Sequence, residues 1–210
     1  MRRLWIVALA WMLGCGDDDG TGLDAGVGPG VDSGVDAGAV EDSGVDVAST
    51  PFEVSTTAWV SGEAVPETYR CGPPLIPDMT GGNVSPPISW TAGPEGTASY
   101  ALVIRDMSAG GLVHWAIYDI PVALRELPED VPGAFMPLRV DGARQAEIQG
   151  SGFFGYFGPC SGGRGNTYVF TLHAMPDAML PGVTRDSTEN EIATAVESSS
   201  IAMASFTGTF

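Results

Sequence analysis

Short apolar runs separated by turn residues dominate the chain after residue 50. Runs of this length that are rich in β-branched and aromatic residues, and bounded by Gly, Pro, Asn or Asp, are typical of β-strands. They predict strands at residues 52–59, 99–105, 113–119, 167–174 and 202–210. Many short strands favour an all-β-dominated fold, a β-sandwich, over alternating strand–helix units.

One helix is predicted between the last two strands, over residues 187–200. Thr188 and Glu191 have the spacing of a capping box, in which each side chain accepts a hydrogen bond from the other residue's backbone N–H. The apolar side chains of this segment fall on one helical face: Ile192, Ala195 and Val196. The expected fold is therefore mostly β, with one or two short helices.

The first 14 residues have the composition of an export signal. Arg2 and Arg3 precede an apolar stretch at residues 4–13, which is too short to span a bilayer as a helix. The Leu-Gly-Cys that ends at Cys15 resembles the bacterial lipobox, so Cys15 is predicted to be acylated and to become the new N-terminus. An ordinary signal peptide followed by a chance cysteine is the alternative. The residue after Cys15 is Gly16, whereas an Asp at this position marks inner-membrane retention in some bacteria. This difference favours the outer membrane of the cell envelope.

The composition changes sharply after the predicted lipidation site. Residues 16–50 are mostly Gly, Asp, Val, Ala and Ser, without an aromatic or basic residue. Such a segment cannot bury enough apolar surface to offset its chain entropy. We therefore predict a disordered tether over residues 15–50 and a single domain over residues 51–210. The Asp-rich repeats lack the glutamate that ends a calcium-binding loop.

The predicted domain is acidic. Residues 51–210 contain 17 acidic residues and seven Arg, a net charge of −10, and the chain has no Lys. Nucleic acid is therefore an unsuitable partner, and so is an anionic membrane surface. Any anion that the domain binds has to be held in a local pocket against the overall field.

Three segments carry a more specific pattern. The first is Gly-Asn-Val-Ser-Pro-Pro-Ile-Ser-Trp at residues 82–90. The second comprises residues 99–106 and the His-Trp-containing run at 113–121, and the third comprises Gly-Tyr-Phe-Gly-Pro-Cys at 155–160 and the strand at 168–174. In order, spacing and content these segments resemble the phosphatidylethanolamine-binding protein family, in its bacterial Raf kinase inhibitor-like (YbhB/YbcL-type) branch.

The resemblance covers residues 52–210 and implies a sandwich of two antiparallel sheets with a small pocket at one end. Members of the family hold phosphate, phosphoryl head groups or similar oxyanions in that pocket. The resemblance implies these ligand-binding residues: Asp106, His114, Gly158, Pro159, Asn166 and Tyr168.

The chain departs from the family pattern at the pocket. The family's Asp-Pro-Asp-Ala is replaced here by Asp-Met-Ser-Ala at residues 106–109, so the second carboxylate of that motif is missing. Asn166 stands in place of the His of the family's His-x-Tyr, and Ser161 and Gly162 replace prolines of the pocket loop. Because Asn166 can donate a hydrogen bond but cannot carry charge, weaker anion binding or a different ligand is expected.

Strand alternation places His114 on the sheet face opposite Val113, Trp115 and Ile117. A lone histidine in a strand is usually structural, but the surrounding motif favours a pocket role for His114. We expect Asp106 either to hydrogen-bond to His114 and favour the imidazolium form, or to share a proton with the ligand.

With Cys15 lipidated, Cys71 and Cys160 remain as a pair in an oxidising compartment. Both lie beside family motifs that converge near the pocket end of the fold. We predict a disulfide between them.

Little in the sequence indicates catalysis. No Gly-x-Ser-x-Gly marks a hydrolase serine, and the Gly-Gly-Arg-Gly at 162–165 lacks the Lys-Ser/Thr of a nucleotide-binding loop. The chain has only two histidines, of which His173 is predicted to be structural, so the ligands of a tetrahedral zinc site are lacking. We predict no enzymatic activity, no cofactor and no metal. An acid–base pair of Asp106 and His114 is the remaining enzymatic alternative.

Two functional hypotheses follow. The leading one is a lipid-anchored binding module for a small anionic ligand, phosphate or a phosphoryl head group, displayed on the tether. The alternative is a regulatory interaction protein, because eukaryotic relatives act as kinase or protease inhibitors. A location in the cell envelope leaves a protease as the protein target.

Overall fold

The computed structural model of the chain describes residues 50–210 except 163 and 164. The predicted signal peptide, the lipidation site at Cys15 and the predicted tether lie outside the described residues. In the part of the chain that is described, no helix has the length and apolar character needed to cross a bilayer.

The described residues form eight strands and one α-helix, with two short 3₁₀ turns. The elements are β1 Val54–Ser55, β2 Ile88–Trp90, β3 Ser99–Asp106, β4 Leu112–Pro121, β5 Glu126–Leu127, β6 Arg144–Gln145, β7 Thr167–Met175, α1 Glu189–Ser199 and β8 Ala202–Thr209, with 3₁₀ turns at Glu67–Tyr69 and Met107–Ala109.

The strands make two antiparallel sheets. The large sheet has the order β6-β4-β3-β7-β8, and the small sheet has the order β1-β2-β5. The predicted fold class, a mostly β structure with two antiparallel sheets, is confirmed.

Four of the five predicted strands occur nearly as expected, as β3, β4, β7 and β8. The prediction for 52–59 is wrong over most of its length, because only Val54–Ser55 pairs in a sheet. The hydroxyl of Thr56 donates to the Pro87 carbonyl and accepts from the Ala58 N–H, so the chain turns there. Three further strands of two or three residues, β2, β5 and β6, were not predicted.

The predicted helix is confirmed as α1. Both halves of its capping box form, since the Glu191 N–H donates to the Thr188 hydroxyl at 3.2 Å and the Thr188 N–H donates to the Glu191 carboxylate at 2.8 Å. Ile192 and Val196 are fully buried against the large sheet, whereas Ala195 is only partly buried.

The core has two layers on opposite faces of the large sheet. One face packs against the small sheet through large side chains such as Trp115, Phe170 and Trp90. The other face packs against α1 through smaller side chains such as Ala101 and Val103. The central strand β3 is buried on both faces, and its last residue therefore lies at the edge of a well-packed platform.

Candidate functional site

A cavity of ≈ 420 Å³ opens where β3 ends and β7 begins. Its lining comes from the end of β3, the following 3₁₀ turn, the start of β4 and the two loops that precede β7. The polar and aromatic side chains of this lining include Asp106, Ser108, His114, Gln149, Phe157 and Asn166.

A β-bulge positions His114. Arg105 pairs with Val113 and Ile104 pairs with Trp115, so His114 is the extra residue on β4. A bulge bends the strand and re-aims its side chains. The simple alternation predicted for this strand is wrong for that reason: Val113 packs in the layer beneath α1, whereas Trp115 faces the small sheet.

The His114 ring is held by backbone carbonyls and aromatic rings. Its Nδ1 lies 3.1 Å from the Phe157 carbonyl oxygen and 3.3 Å from that of Gly158. Because a carbonyl oxygen only accepts hydrogen bonds, we assign the proton to Nδ1, which leaves Nε2 as a lone-pair acceptor. The ring stacks parallel to Phe157 with centroids 4.8 Å apart and meets Tyr168 edge-on at 5.0 Å.

Burial lowers the pKa of His114 below its ordinary value, although the Phe157 carbonyl, the Asp106 charge and the Gly158 carbonyl each act to raise it. Only 1% of the residue is exposed, so an imidazolium would lose most of its hydration. The neutral form is therefore favoured near neutral pH: the Asp106 charge acts towards the imidazolium, as expected, but burial outweighs it.

The Asp106 carboxylate bonds to other groups than His114. Oδ1 accepts from the backbone N–H of Ser108 at 2.8 Å and from that of Ala109 at 3.0 Å, which caps the 3₁₀ turn after β3. Oδ2 accepts from the side-chain amide of Asn166 at 2.7 Å. The expected direct hydrogen bond between Asp106 and His114 is thus replaced by contacts to the following turn and to Asn166.

The other predicted site residues lie directly behind the lining. The Gly158 N–H donates to the Asn83 side chain at 2.9 Å, and the Pro159 carbonyl accepts from the Cys71 N–H at 3.0 Å. The fully buried Tyr168 accepts a hydrogen bond from the Cys160 N–H at 2.9 Å. These polar groups hold the 155–160 loop in place and are used within the protein.

The pocket loop is packed too closely for any side chain at Gly158. A Cβ atom built there would lie 2.5 Å from the Tyr69 carbonyl oxygen, which is backbone and cannot move aside cheaply. The predicted disulfide between Cys71 and Cys160 is present, with Cα atoms 5.3 Å apart. The disulfide covalently joins the segment at residues 69–71 to the pocket loop at residues 158–160, which are the two segments that meet at Gly158.

Asn83 is a site-forming residue to which the sequence reasoning assigned no role. Its side chain donates to the Tyr156 carbonyl at 3.0 Å and accepts from the Gly158 N–H, so it bridges both sides of the pocket loop. Its backbone is left-handed, with φ of 49°, a conformation that Asn tolerates better than most residues. In the sequence, a role for Asn83 is indicated only by its position in the motif at residues 82–90.

Burial, together with the nearby Asp106 carboxylate, raises the pKa of Tyr168 to about 12, although hydrogen bonds to Cys160 and Asn166 act to lower it. Tyr168 therefore stays a neutral phenol at the back of the site. Within residues 50–162 and 165–210, no group of three or more His, Cys, Asp or Glu side chains is arranged to hold a metal ion.

This arrangement defines a class of protein: a two-sheet β-sandwich with a polar cavity at one end of its larger sheet. The family model for phosphatidylethanolamine-binding proteins matches residues 55–210. The chain belongs to the phosphatidylethanolamine-binding protein family, which confirms the resemblance seen in its motifs.

Relatives from distant microorganisms agree with this assignment. A UPF0098 protein of Aquifex aeolicus is 37% identical over 146 residues, which covers 66% of this chain and 78% of that protein. The putative lipoprotein LppC of Mycobacterium tuberculosis H37Rv is 31% identical over 168 residues, 77% of this chain and 75% of that protein. The crystal structure of Escherichia coli YbcL superposes with a TM-score of 0.66 at 27% identity, over 76% of this chain and 97% of that chain.

Proposed function

We propose that the domain is a binding module for a small oxyanion of the phosphate or phosphoryl head-group class. The observation that carries the proposal is the cavity of ≈ 420 Å³ in which His114, Asp106 and Asn166 converge. A volume of a few hundred Å³, with a few placed polar groups among apolar walls, suits a small ligand. Membership in a family of binding proteins supports a binding role.

The lining offers neutral hydrogen-bond donors for oxygen atoms of the ligand. The Ser108 hydroxyl oxygen accepts from the Thr167 N–H at 3.1 Å, so its own hydrogen can point to a ligand. The Asn166 side chain is used for Asp106 and Tyr168, whereas the exposed Gln149 side chain in the lining carries two amide hydrogens. An oxyanion with at least one hydroxyl can accept from these groups and donate to Asp106 or to His114 Nε2.

We also infer that the site binds without chemistry. In acid–base triads the imidazole is oriented by a carboxylate at one ring nitrogen and meets a nucleophile at the other. Here Nδ1 of His114 faces the Phe157 and Gly158 carbonyls instead, and burial lowers its basicity. Both features disfavour a general base.

We further infer that the mature protein is anchored by lipid at Cys15 in the bacterial cell envelope, in the outer membrane. The lipobox-like sequence is the main support. The relative LppC, which is named a putative lipoprotein, gives independent support for an anchored member of this family.

Calorimetric titration of the full-length protein in mild detergent with phosphoethanolamine tests the binding proposal. We expect saturable binding, and we expect His114→Gln to weaken it about tenfold or more, because a hydrogen bond to a charged ligand is lost. His173→Gln is the matched control, since His173 is equally buried but contacts Ser200 near the end of α1. Absence of heat at millimolar ligand, together with tight inhibition of a protease, would favour the interaction-protein alternative.

A further inference from the structure

Several hydrogen-bond donors of the cavity wall are used within the protein. The N–H groups of Ser108 and Ala109 donate to Asp106, and the N–H of Cys160 donates to Tyr168. The His114 Nδ1 proton is directed at backbone carbonyls. Among the described lining residues there is no Lys or Arg. The strongest donors of a typical anion site, cationic side chains and convergent backbone amides, are therefore absent from the part of this lining that the structure describes.

The ionisable groups around the cavity present lone pairs instead. Asp106 at the end of β3 contributes a carboxylate, and His114 on β4 contributes Nε2. Tyr168 on β7 stands behind them as a phenol whose pKa burial raises to about 12. A ligand oxygen without a proton would face these lone pairs, and its charge would be repelled by the carboxylate.

We infer that the cavity selects oxyanions that still carry a proton and rejects fully deprotonated tetrahedral dianions such as sulfate. The inference rests on the proposed function and specifies its ligand: a phosphate or phosphomonoester in its monoanionic form. The hydroxyl of that form donates to Asp106 or to Nε2 of His114, while its remaining oxygens accept from neutral groups such as Ser108 and Gln149.

Phosphomonoesters and sulfate test this selectivity, because both are tetrahedral oxyanions but only a phosphomonoester can keep a proton near neutral pH. A phosphomonoester has a second pKa of about 6, so its monoanion predominates below that pH and its dianion above. Sulfate remains a dianion throughout the range in which the protein is studied. A site that demands a ligand proton should therefore lose phosphomonoesters as pH rises and exclude sulfate at every pH.

The experiment is a calorimetric titration of the full-length protein in detergent with phosphoethanolamine, and with sulfate, at about pH 5.5 and about pH 8. We expect the phosphoethanolamine affinity to fall roughly 70-fold between the two pH values, because the monoanion fraction falls by about that factor. Sulfate is expected to bind at least about tenfold more weakly than phosphoethanolamine at the lower pH.

Sulfate also distinguishes a proton on the ligand from a proton on His114. An imidazolium would bind a phosphate dianion with the same net proton uptake, but it would bind sulfate as well. Sulfate binding at about pH 5.5 as tight as that of phosphoethanolamine would therefore overturn the inference while leaving the proposed function intact. If phosphoethanolamine binds at neither pH, the inference and the proposed function are both overturned.

Asp106→Asn tests whether the Asp106 carboxylate is responsible for the exclusion of sulfate. Asn is as good a cap as Asp, so the 3₁₀ turn should persist, which circular dichroism and the unfolding midpoint would check. We expect the variant to bind sulfate about tenfold more tightly than the wild type and to lose part of the preference for phosphoethanolamine. Asp177→Asn is the control, because it removes the same charge from an exposed loop at the other end of β3. Unchanged sulfate exclusion in Asp106→Asn would contradict the role of this carboxylate.

Discussion

The side-chain amide of Asn166 donates a 2.7 Å hydrogen bond to Oδ2 of Asp106. In the family pattern this position is a histidine, which can both bond to the carboxylate and carry a charge. The amide of Asn166 bonds to the carboxylate but adds no positive charge to the cavity. The residue at this position therefore affects the electrostatic character of the site.

Restoring the imidazole at this position should strengthen anion binding. In Asn166→His, the neighbouring Asp106 favours the imidazolium, so the cavity gains a cation below the pKa of the new histidine. We expect phosphoethanolamine to bind roughly three- to tenfold more tightly at about pH 5.5, with a smaller gain at about pH 8. Calorimetry on variant and wild type measures this difference, and equal affinities at both pH values would contradict it.

Removing the Asn83 side chain should destabilise the pocket loop. Asn83→Gly keeps the left-handed backbone but deletes the hydrogen bonds to Tyr156 and Gly158, so we expect the free energy of unfolding to fall by about 1–3 kcal/mol. Urea denaturation measures the change. The control is Asp130→Gly, also at positive φ but at an exposed position. If both variants lose the same stability, the bridge contributes nothing.

The disulfide should make a large contribution to stability. It joins residues 89 apart in sequence, and closing a loop of that length lowers the entropy of the unfolded chain, which stabilises the fold by about 4.6 kcal/mol in the chain-entropy model. We expect Cys71→Ser/Cys160→Ser to unfold at markedly lower urea concentration and to bind phosphoethanolamine more weakly, since Cys160 lies in the cavity lining. Two free thiols titrating in the unreduced, unfolded wild type would contradict the prediction.

Stability should decrease as the solution is acidified through the histidine range. Burial lowers the pKa of His114 and of His173 below the ordinary value of 6.5, so the unfolded chain takes up protons that the folded domain refuses. The free energy of unfolding is therefore highest above 6.5, falls as pH drops through it, and levels off below the folded-state pKa values.

This pH dependence is measured by urea denaturation from about pH 8 down to about pH 5. The double variant His114→Gln/His173→Gln should show a flatter profile over the same range. An unchanged profile in the double variant would assign the effect to other groups.

Lipidation at Cys15 should place the protein in the membrane fraction, because several acyl chains bind a bilayer strongly at about 0.8 kcal/mol per buried CH₂. Cys15→Ser should be soluble or remain unprocessed. The variant Cys71→Ser/Cys160→Ser, which keeps Cys15, should stay in the membrane fraction and serves as the control. Finding the wild type free in the periplasm would refute the anchor.

Local patterns were sufficient for the main elements. The strands β3, β4, β7 and β8 have long apolar runs, and α1 has its capping box within four consecutive residues, so each carries its own evidence. The short strands β2 and β5 do not, since two or three residues become a strand only through the partner that pairs with them. Residues 56–59 read as strand but leave the sheet, because a hydrogen bond from Thr56 to Pro87 ends the pairing.

By itself the sequence determined the family, the two-sheet fold, the disulfide and three residues of the cavity lining, Asp106, His114 and Asn166. The tertiary structure decided what those residues do. A bulge re-aims His114, the carbonyls of Phe157 and Gly158 accept from its Nδ1–H, and Asn166 rather than His114 bonds to Asp106. Strand patterns depend on neighbours in the chain, whereas the direction of a hydrogen bond and the cost of burying a charge depend on groups brought together from distant segments.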